Sequence, residues 1–346
     1  MKKLILSGLL IGSQLLVAKS LIFEHHDWEV VCDNSNLCRI VGYSSDEAEH
    51  RLSVLLSREA GAKQEIKAKV QLAYFGEEEG KIFNKLPSPF KLEMFINNKS
   101  YGSVLMGKDE LMASLSKKQT KALVNSLKRD STIIWKHKNY SWELSDKGAS
   151  AVLLKTDEFQ KRLGTRGAFY KKGFKSEKNV LKPQPLPTLY AQPISNAKEV
   201  TLDPKYMERL DKKLVLDKEE CFSLNERENE LTFYNLSSTK LLATKLCWMA
   251  AYNAGSAYWV INKKPPFKPN LITTNGTDYY VSKEKVGILS ANHKGRGLGD
   301  CWSYERYVWT GKTFELSADG STGQCRAIAA GGAWDLPTFV SKVKVK

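Results

Sequence analysis

The chain reads WEVVCDNSNLCRIVGY over residues 28–43, and this stretch indicates the type of fold. An apolar segment ends at Cys32, the turn-forming residues 33–36 follow, and a second apolar segment begins at Cys38. A strand, a polar turn and a second strand are typical of a β-hairpin. The two cysteines flank the turn, so a disulfide bond between them can close it. The stretch therefore predicts an antiparallel sheet.

Similar patterns continue on the C-terminal side of the hairpin. Polar and apolar residues alternate over residues 65–72, which predicts a strand with one buried face. Ser116 and Gln119 have the form of a capping box, which predicts the start of a helix. A second helix is predicted from near Ser145 to a stop at Gly164. Other elements are predicted as strands at 52–57, 66–75, 90–96, 133–135 and 140–144, and as a short helix near 204–210.

The prolines divide the chain. Four of its eleven prolines lie within eleven positions, at Pro183, Pro185, Pro187 and Pro193. Such a run favours an extended linker. The sequence therefore predicts an α+β, β-rich protein with an N-terminal antiparallel-sheet domain carrying two helices, a Pro-rich linker, and a mostly β C-terminal domain with disulfide bonds. The N-terminal domain is predicted over residues 21–175, the linker over 176–197 and the C-terminal domain over 198–346.

Residues 1–20 have the form of a Sec-type signal peptide. A basic start is followed by the mostly apolar residues 4–17, and small residues precede a cleavage point after Ser20, with Ala18 as the alternative. The apolar run is shorter than the roughly 20 residues that span a bilayer. No cysteine lies at the cleavage point, which argues against a lipoprotein. We therefore expect a periplasmic or secreted protein with no transmembrane segment after cleavage.

The charge of the chain limits its partners. Cleavage after residue 20 removes Lys2, Lys3 and Lys19 and no acidic residue, so the formal charge falls from +15 by three to +12. A basic exported protein is attracted to anionic polymers, and export argues against nucleic acid as the partner. The basic residues are spread out, with no run of five like charges. The predicted partner is an anionic envelope polymer or a periplasmic protein; a solvated lysine-rich surface is the alternative.

All six cysteines follow the predicted signal peptide. An even number in an exported chain indicates a disulfide framework. Six cysteines allow 15 pairings, and the most economical one joins neighbours in sequence. The expected bonds are Cys32–Cys38, Cys221–Cys247 and Cys301–Cys325.

A glycine-rich stretch over residues 294–300, KGRGLGD, leads into Cys301 and several aromatic residues. It lacks the Gly-Lys-Ser/Thr ending of a phosphate-binding loop. One interpretation is a tight turn beside core aromatics. The other is a ligand surface in which an arginine and a carboxylate lie beside aromatic faces, as suits a sugar or a peptide. That candidate surface comprises Tyr252, Asn253, Tyr258, Trp259, Arg296, Asp300, Trp302 and Trp309.

The sequence gives only weak indications of catalytic or metal-binding motifs. Residues 251–255, AYNAG, resemble a motif of the lytic transglycosylases, which cleave peptidoglycan with one glutamate. The other segments of that family are missing, and the surroundings read as strands rather than helices. His25 and His26 would point to opposite faces of a strand, so no metal site is predicted. No cofactor, nucleophile motif or catalytic residue is predicted.

Several segments in one order resemble DUF1176, a family of exported bacterial proteins of unknown function. They are residues 27–34, 38–39, 251–256, 258–259, 295–302, 325–326 and 331–337. Residues 21–175 are also faintly similar to the invasion-associated locus B family, whose members are exported and β-rich. Neither resemblance implies catalytic residues.

The functional expectation is an exported, non-catalytic protein that binds an envelope component or a partner protein. It rests on the aromatic residues, the basic charge and the lack of a coherent set of acid, base and nucleophile. Two alternatives remain open at this point. One is a glycan-active enzyme of the cell wall, similar to a lytic transglycosylase, and the other is a secreted factor that acts on host or neighbouring cells.

Overall fold

The computed structural model describes residues 20–194, 198–216, 221 and 231–346. Strands hold 44% of the chain and helices 12%, and the sheets are mainly antiparallel. This composition confirms the predicted β-rich fold class. The predicted signal peptide lies outside the described residues except for Ser20. Among the described helices, none is long and apolar enough to cross a membrane.

The elements are numbered in chain order. The strands are β1 (Leu21–His25), β2 (Trp28–Cys32), β3 (Cys38–Tyr43), β4 (Leu52–Arg58), β5 (Lys67–Leu72), β6 (Phe90–Ile96), β7 (Lys99–Met106), β8 (Met112–Ser114), β9 (Ile133–His137), β10 (Tyr140–Leu144), β11 (Thr188–Ala191), β12 (Thr232–Asn235), β13 (Lys240–Met249), β14 (Ala254–Asn262), β15 (Asn270–Gly276), β16 (Asp278–Val281), β17 (Gly287–Lys294), β18 (Trp302–Trp309), β19 (Phe314–Ser321), β20 (Leu336–Val340) and β21 (Lys342–Val345). The α-helices are α1 (Glu77–Lys85), α2 (Lys117–Ser126), α3 (Ala149–Phe159) and α4 (Pro204–Asp211).

Five sheets organise these strands. In the N-terminal half, one sheet has the order β1-β2-β3-β4-β5-β8 and another the order β10-β9-β6-β7. In the C-terminal half, the orders are β12-β13-β14-β15 and β16-β17-β18-β19-β20. Strand β11 pairs in parallel with β21. The large N-terminal core contains residues of both N-terminal sheets and of the helices α1, α2 and α3.

The hairpin of β2 and β3 forms where the sequence predicted it. Trp28 lies opposite Gly42 in register, and Cys32 lies opposite Cys38. A Cβ atom on Gly42 would lie 2.3 Å from the Trp28 ring, so only glycine lets the indole cross the neighbouring strand. The indole is fully buried, and its Nε1 donates a 2.8 Å hydrogen bond to the Ser145 carbonyl.

The predicted capping box starts helix α2. The Ser116 hydroxyl accepts a hydrogen bond from the Gln119 amide, and the Gln119 side chain accepts one from the Ser116 amide. Both bonds satisfy backbone N–H groups that the first helical turn leaves unpaired.

Replacing Ser116 with alanine removes one half of this box. We expect the free energy of unfolding to fall by about 1 kcal/mol, the usual cost of losing an N-cap side chain. Urea denaturation of the wild type and the variant measures the difference. Ser103→Ala is the control, because Ser103 is exposed on strand β7 and caps no helix.

The other N-terminal helices differ from the expectation. Helix α3 begins at Ala149, four residues after the predicted start, because Gly148 is its N-cap. Gly148 has a φ of +93°, and a Cβ atom there would lie 1.8 Å from the His25 carbonyl oxygen. Helix α1 was not predicted. It is short and has no side-chain cap, so it carries few local signals.

The predicted linker is bound to both halves of the protein. Its N-terminal part follows the first half, where the Gln184 amide donates to the Ser35 carbonyl and the Asn36 side chain donates to the Lys182 carbonyl. Its strand β11 pairs with β21 at the end of the chain. The proline-rich segment therefore follows the surface of the protein in extended form.

A cluster of apolar residues joins the C-terminal loops to the outer face of the first sheet. We call it the seam; it comprises Val31, Val41, Tyr43, Ala73, Ile328, Ala333, Trp334 and Leu336. Trp334 is 6% exposed, and its Nε1 donates a 2.8 Å hydrogen bond to the Ser53 hydroxyl. The seam fixes the position of the last loops relative to the first hairpin.

Three disulfide bonds join Cys32 to Cys38, Cys221 to Cys247 and Cys301 to Cys325. These are the pairs of the most economical arrangement, and they divide one and two between the two halves. All six cysteines are bonded. Such usage is typical of proteins that fold outside the reducing cytoplasm.

Candidate functional site

An open cleft of about 570 Å³ lies between the β1–β2 turn and two loops of the C-terminal half. We refer to it as the cleft. Its lining is mostly polar and comprises Glu24, His25, His26, Asp46, Arg296, Gln324, Cys325 and Arg326. Residues nearly 300 positions apart in sequence therefore meet in one concave site.

An internal ion pair shapes the first loop of the cleft. The Nε and Nη2 atoms of Arg296 donate to the two carboxylate oxygens of Asp300 at 2.8 and 2.6 Å. The Asp300 carboxylate is 1% exposed and also accepts from the Ala327 amide at 2.7 Å. Burial raises the pKa of Asp300, but these hydrogen bonds outweigh it and hold the pKa below its ordinary value. Asp300 is therefore an ionised anchor for the loop.

Further bonds fix the same loop. Its Gly299 has a φ of +70°, and the Gly299 carbonyl accepts from Trp302 Nε1 and from the Gly331 amide, both at 2.9 Å. Gly295 lies against the disulfide bond, because a Cβ atom there would lie 2.7 Å from Cys301 Sγ. The glycines of the KGRGLGD stretch thus allow a close approach to the disulfide bond and a left-handed turn.

Arg326 ties the opposite side of the cleft together. Its guanidinium lies 3.0 Å from the Asp27 carboxylate and 2.7 Å from that of Asp46. It also donates to the side chain of Gln324 and to the His26 carbonyl. Arg326 therefore links the β1–β2 turn to the segment that carries Cys325.

A buried carboxyl lies below this side of the cleft. The Oε1 atom of Glu29 accepts from the Tyr43 hydroxyl at 2.6 Å and from the Gln324 amide at 2.9 Å. Burial raises the pKa of Glu29 above its ordinary value, although both hydrogen bonds oppose the rise. Gly323 makes this packing possible, since a Cβ atom there would lie 2.2 Å from the Tyr43 hydroxyl. We did not identify Glu29 from the sequence; a lone acid in an apolar strand was the available signal.

The raised pKa predicts a pH effect on stability. The folded protein retains a proton on Glu29 at pH values where the unfolded chain has lost it. This carboxyl therefore contributes stability that is fully present below the unfolded pKa and is lost as the pH rises through the folded pKa. The Glu29→Gln variant cannot titrate here, yet its amide oxygen can still accept both hydrogen bonds.

We expect the stability of the wild type, relative to Glu29→Gln, to increase as the pH is lowered from neutral towards 4. Urea denaturation of both proteins over a pH series measures this difference. A difference that stays constant with pH would mean that Glu29 titrates as it does in the unfolded chain.

Three residues of the predicted ligand surface lie in the core. Tyr258, Trp259 and Trp309 are 6%, 2% and 0% exposed. Their assignment to an accessible surface was wrong, and strand β14 gives the reason. Trp259 packs in one core cluster and Tyr258 packs in another, so both faces of this strand are covered.

Asn253 has a structural role. Its side-chain amide donates to the Lys294 carbonyl and accepts from the Lys294 amide, both at 2.9 Å. The AYNAG residues form the turn between β13 and β14 and the start of β14, so they do not form a helix. Asn253 therefore joins this turn to the end of β17.

Of the other residues of the predicted surface, Arg296 lines the cleft and Asp300 is buried, whereas Tyr252 and Trp302 contact the loop that carries Arg296. Tyr252 is 48% exposed, and Gly297 lies against its ring. Leu298, which was not predicted, is 62% exposed at the tip of the same loop. Trp302 is half-buried, with the Lys294 ammonium 5.6 Å from its ring centroid. We refer to Tyr252, Leu298 and Trp302 as the rim.

One group of described residues has the spacing of metal ligands, namely Asp300, Cys301 and Cys325. The two sulfur atoms form a disulfide bond and are not thiolates, so they are poor ligands. His25 and His26 lie side by side, with ring centroids 4.4 Å apart, and both are exposed on the cleft. The cleft can thus offer imidazoles, guanidinium groups and carboxylates to a polar ligand.

Three segments that carry the family resemblance meet around this cleft: the residues near Asp27, those from Gly295 to Trp302, and Cys325 with Arg326. The family model described as "Protein of unknown function (DUF1176)" matches residues 22–341. A relative from Escherichia coli (strain K12), "Uncharacterized protein YpfG", is 25% identical over 329 residues, which is 89% of this chain and 90% of the relative. No solved structure matches significantly. Because the family model covers most of the sequence, the chain belongs to the DUF1176 family.

Proposed function

We propose that the protein acts after export as a non-catalytic binding protein of the cell envelope, and that the cleft holds its ligand. The observation that carries the proposal is the construction of the cleft. Both halves of the chain contribute to it, and ion pairs hold each side in place. A site that is already ordered loses little conformational entropy on binding.

The lining favours a polar ligand. Two exposed imidazoles and the partly exposed Arg296 offer hydrogen-bond donors, and the Glu24 and Asp46 carboxylates offer acceptors. The rim adds the exposed faces of Tyr252 and Leu298. This mixture suits a polymer with sugar rings, amides and carboxylates, which is the chemistry of peptidoglycan. We therefore infer that the ligand is a segment of this anionic polymer.

The charge of the chain supports the same ligand class. The formal charge of the chain is +15, and it is +12 without Lys2, Lys3 and Lys19 of the predicted signal peptide. This charge draws the exported protein towards anionic polymers at long range, and salt screens that attraction. The charges that line the cleft are nearly balanced, so they favour particular groups rather than any anion. Binding should therefore weaken with salt without disappearing.

The geometry favours binding over catalysis. The carboxyl with the raised pKa, Glu29, is covered by Gln324 and does not line the cleft. Asp300 is ionised and fully engaged with Arg296 and Ala327. Glu29 and Asp300, the acidic residues with shifted pKa values near the cleft, therefore hold loops together.

Cosedimentation with purified peptidoglycan sacculi at graded salt tests the proposal. We expect the wild type to be retained, and the double variant His25→Ala, His26→Ala to lose most of that retention. Tyr252→Ala should weaken retention as well. Tyr190→Ala is the matched control, because Tyr190 is 52% exposed and lies away from the cleft on β11.

Two results would contradict the proposal. One is no retention of the wild type on sacculi at low salt. The other is release of soluble muropeptides by the wild type but not by a variant with a single acidic residue replaced, which would show the glycan-active enzyme. The same assay with lipopolysaccharide in place of sacculi shows whether anionic polymers in general retain the protein.

A further inference from the structure

Phe174 is the most exposed large apolar side chain among the described residues, at 94%. It does not line the cleft and lies in the sequence KKGFK over residues 171–175. The Phe174 side chain is therefore almost entirely in solvent and adds almost no buried apolar area to the fold. A single exposed apolar side chain is common on proteins, so its exposure carries an argument only together with the residues around it.

The loop that carries Phe174 is ordered by backbone hydrogen bonds. The Gly164 amide donates to the Lys171 carbonyl at 2.9 Å, and the Lys175 amide donates to the Gly164 carbonyl at 2.9 Å. The Gly173 amide donates to the Thr165 carbonyl at 3.0 Å. A Cβ atom on Gly173 would lie 2.5 Å from the Gly164 oxygen, so the two segments touch. This framework keeps the loop from folding Phe174 back onto the protein.

Basic residues surround the loop. Residues 160–178 contain seven basic residues and one acidic residue, a net charge of +6. Arg162 is buried and pairs with the one acidic residue, Glu177, and the other six basic residues are exposed. They are interrupted by other residues, so a search for runs of like charge misses them. Lys128 lies near Lys172, and burial together with that neighbouring charge lowers the pKa of Lys128. Among the described ion pairs, none includes Lys171, Lys172 or Lys175.

We propose that this loop binds the surface of an anionic phospholipid bilayer. Phe174 would enter the boundary between headgroups and acyl chains, while Lys171, Lys172 and Lys175 lie at the level of the lipid phosphates. An exposed apolar side chain among lysines matches this interface. The ring can insert between the lipid headgroups, and the lipid phosphates carry the charge opposite to that of the lysines. A single aromatic with a few lysines gives weak, reversible attachment.

Helix α3 separates the loop from the cleft. Its N-terminal end lies under the β1–β2 turn, where Gly148 contacts the His25 carbonyl. Its C-terminal end leads into the segment that carries the loop. Eleven residues of helix span about 16 Å. A protein attached through Phe174 would thus keep its cleft away from the bilayer.

Flotation of the purified protein with lipid vesicles tests this inference. We expect binding to vesicles of phosphatidylethanolamine with phosphatidylglycerol, and little binding to vesicles of phosphatidylcholine alone. Phe174→Ala should weaken binding by about tenfold or more, as expected for burial of one phenylalanine. The double variant Lys171→Glu, Lys172→Glu should weaken it by about 25-fold or more, since each lysine near such a surface contributes about fivefold.

Two matched variants serve as controls. Leu105→Ala removes another exposed apolar side chain, and the double variant Lys342→Glu, Lys344→Glu makes the same charge change on β21. Both should bind the vesicles as the wild type does. No binding of the wild type, or equal losses in the controls, would overturn the inference. The vesicles contain no peptidoglycan, and His25→Ala, His26→Ala should leave this binding unchanged, so failure here is distinct from failure of the proposed function.

Discussion

The Asp157→Asn variant is expected to lose about 3–5 kcal/mol of the free energy of unfolding, because it removes the buried partner of a buried cation. Asp157 is 0% exposed, and its Oδ1 lies 3.1 Å from Arg58 Nη2. The same carboxylate accepts from the amides of Phe169 and Tyr170, each at 2.8 Å. It thus organises the end of helix α3 and the segment that follows it.

The surroundings of Arg58 explain the size of the effect. Burial and the nearby Arg162 lower the pKa of Arg58 to about 9. Gln160 Oε1 accepts from both guanidinium groups at 3.0 Å, but it carries no charge. Without Asp157, the nearest described carboxylate is that of Glu177, 3.6 Å from Arg162. Two cations would then lie in the interior with one counter-charge, which pairs with Arg162 and not with Arg58.

Urea denaturation measures the loss. Asp211→Asn makes the same chemical change in the half-exposed ion pair with Lys245, where water screens the charges. We expect that control to lose less than about 1 kcal/mol. Equal losses in the two variants would show that the Arg58 network does not depend on its charge.

The Trp334→Ala variant is expected to lose about 3–5 kcal/mol, since it empties the centre of the seam. The indole is buried against the first sheet, and its hydrogen bond to Ser53 joins the two halves of the chain. Trp334→Phe keeps a six-membered aromatic ring but loses the rest of the indole volume and the hydrogen bond to Ser53. It should therefore lose less than the alanine variant.

Thermal and urea denaturation of both Trp334 variants measure these differences. A loss below about 1 kcal/mol for Trp334→Ala would mean that the seam contributes little to folding. The cleft depends on the seam, because Gln324 and Arg326 approach the first hairpin beside it. We therefore also expect Trp334→Ala to weaken retention on sacculi.

Local sequence signals predicted the elements whose causes are local. The hairpin of β2 and β3 has the predicted bounds because its apolar segments, turn residues and cysteines all lie within 16 positions. The capping box at Ser116 also acts within one helical turn. Helix α3 began later than expected because the carbonyl of His25, far away in sequence, requires glycine at its N-cap.

The candidate site was less predictable because its contacts are distant in sequence. The pairing of Arg296 with Asp300 is local and matched the expectation of an arginine–carboxylate pair. The burial of Tyr258 and Trp259 depends on layers that cover both faces of β14. No pattern within one segment shows that His25 and Arg296 line the same cleft.

The most direct test of the proposed function is a titration of the purified protein with soluble muropeptides, followed by NMR of the histidine imidazoles. The chain has five histidines, and His25 and His26 line the cleft. We predict saturable shifts of these two resonances, while those of His50, His137 and His293 stay unchanged. Unchanged resonances for all five, or equal shifts in all five, would contradict a peptidoglycan-binding cleft.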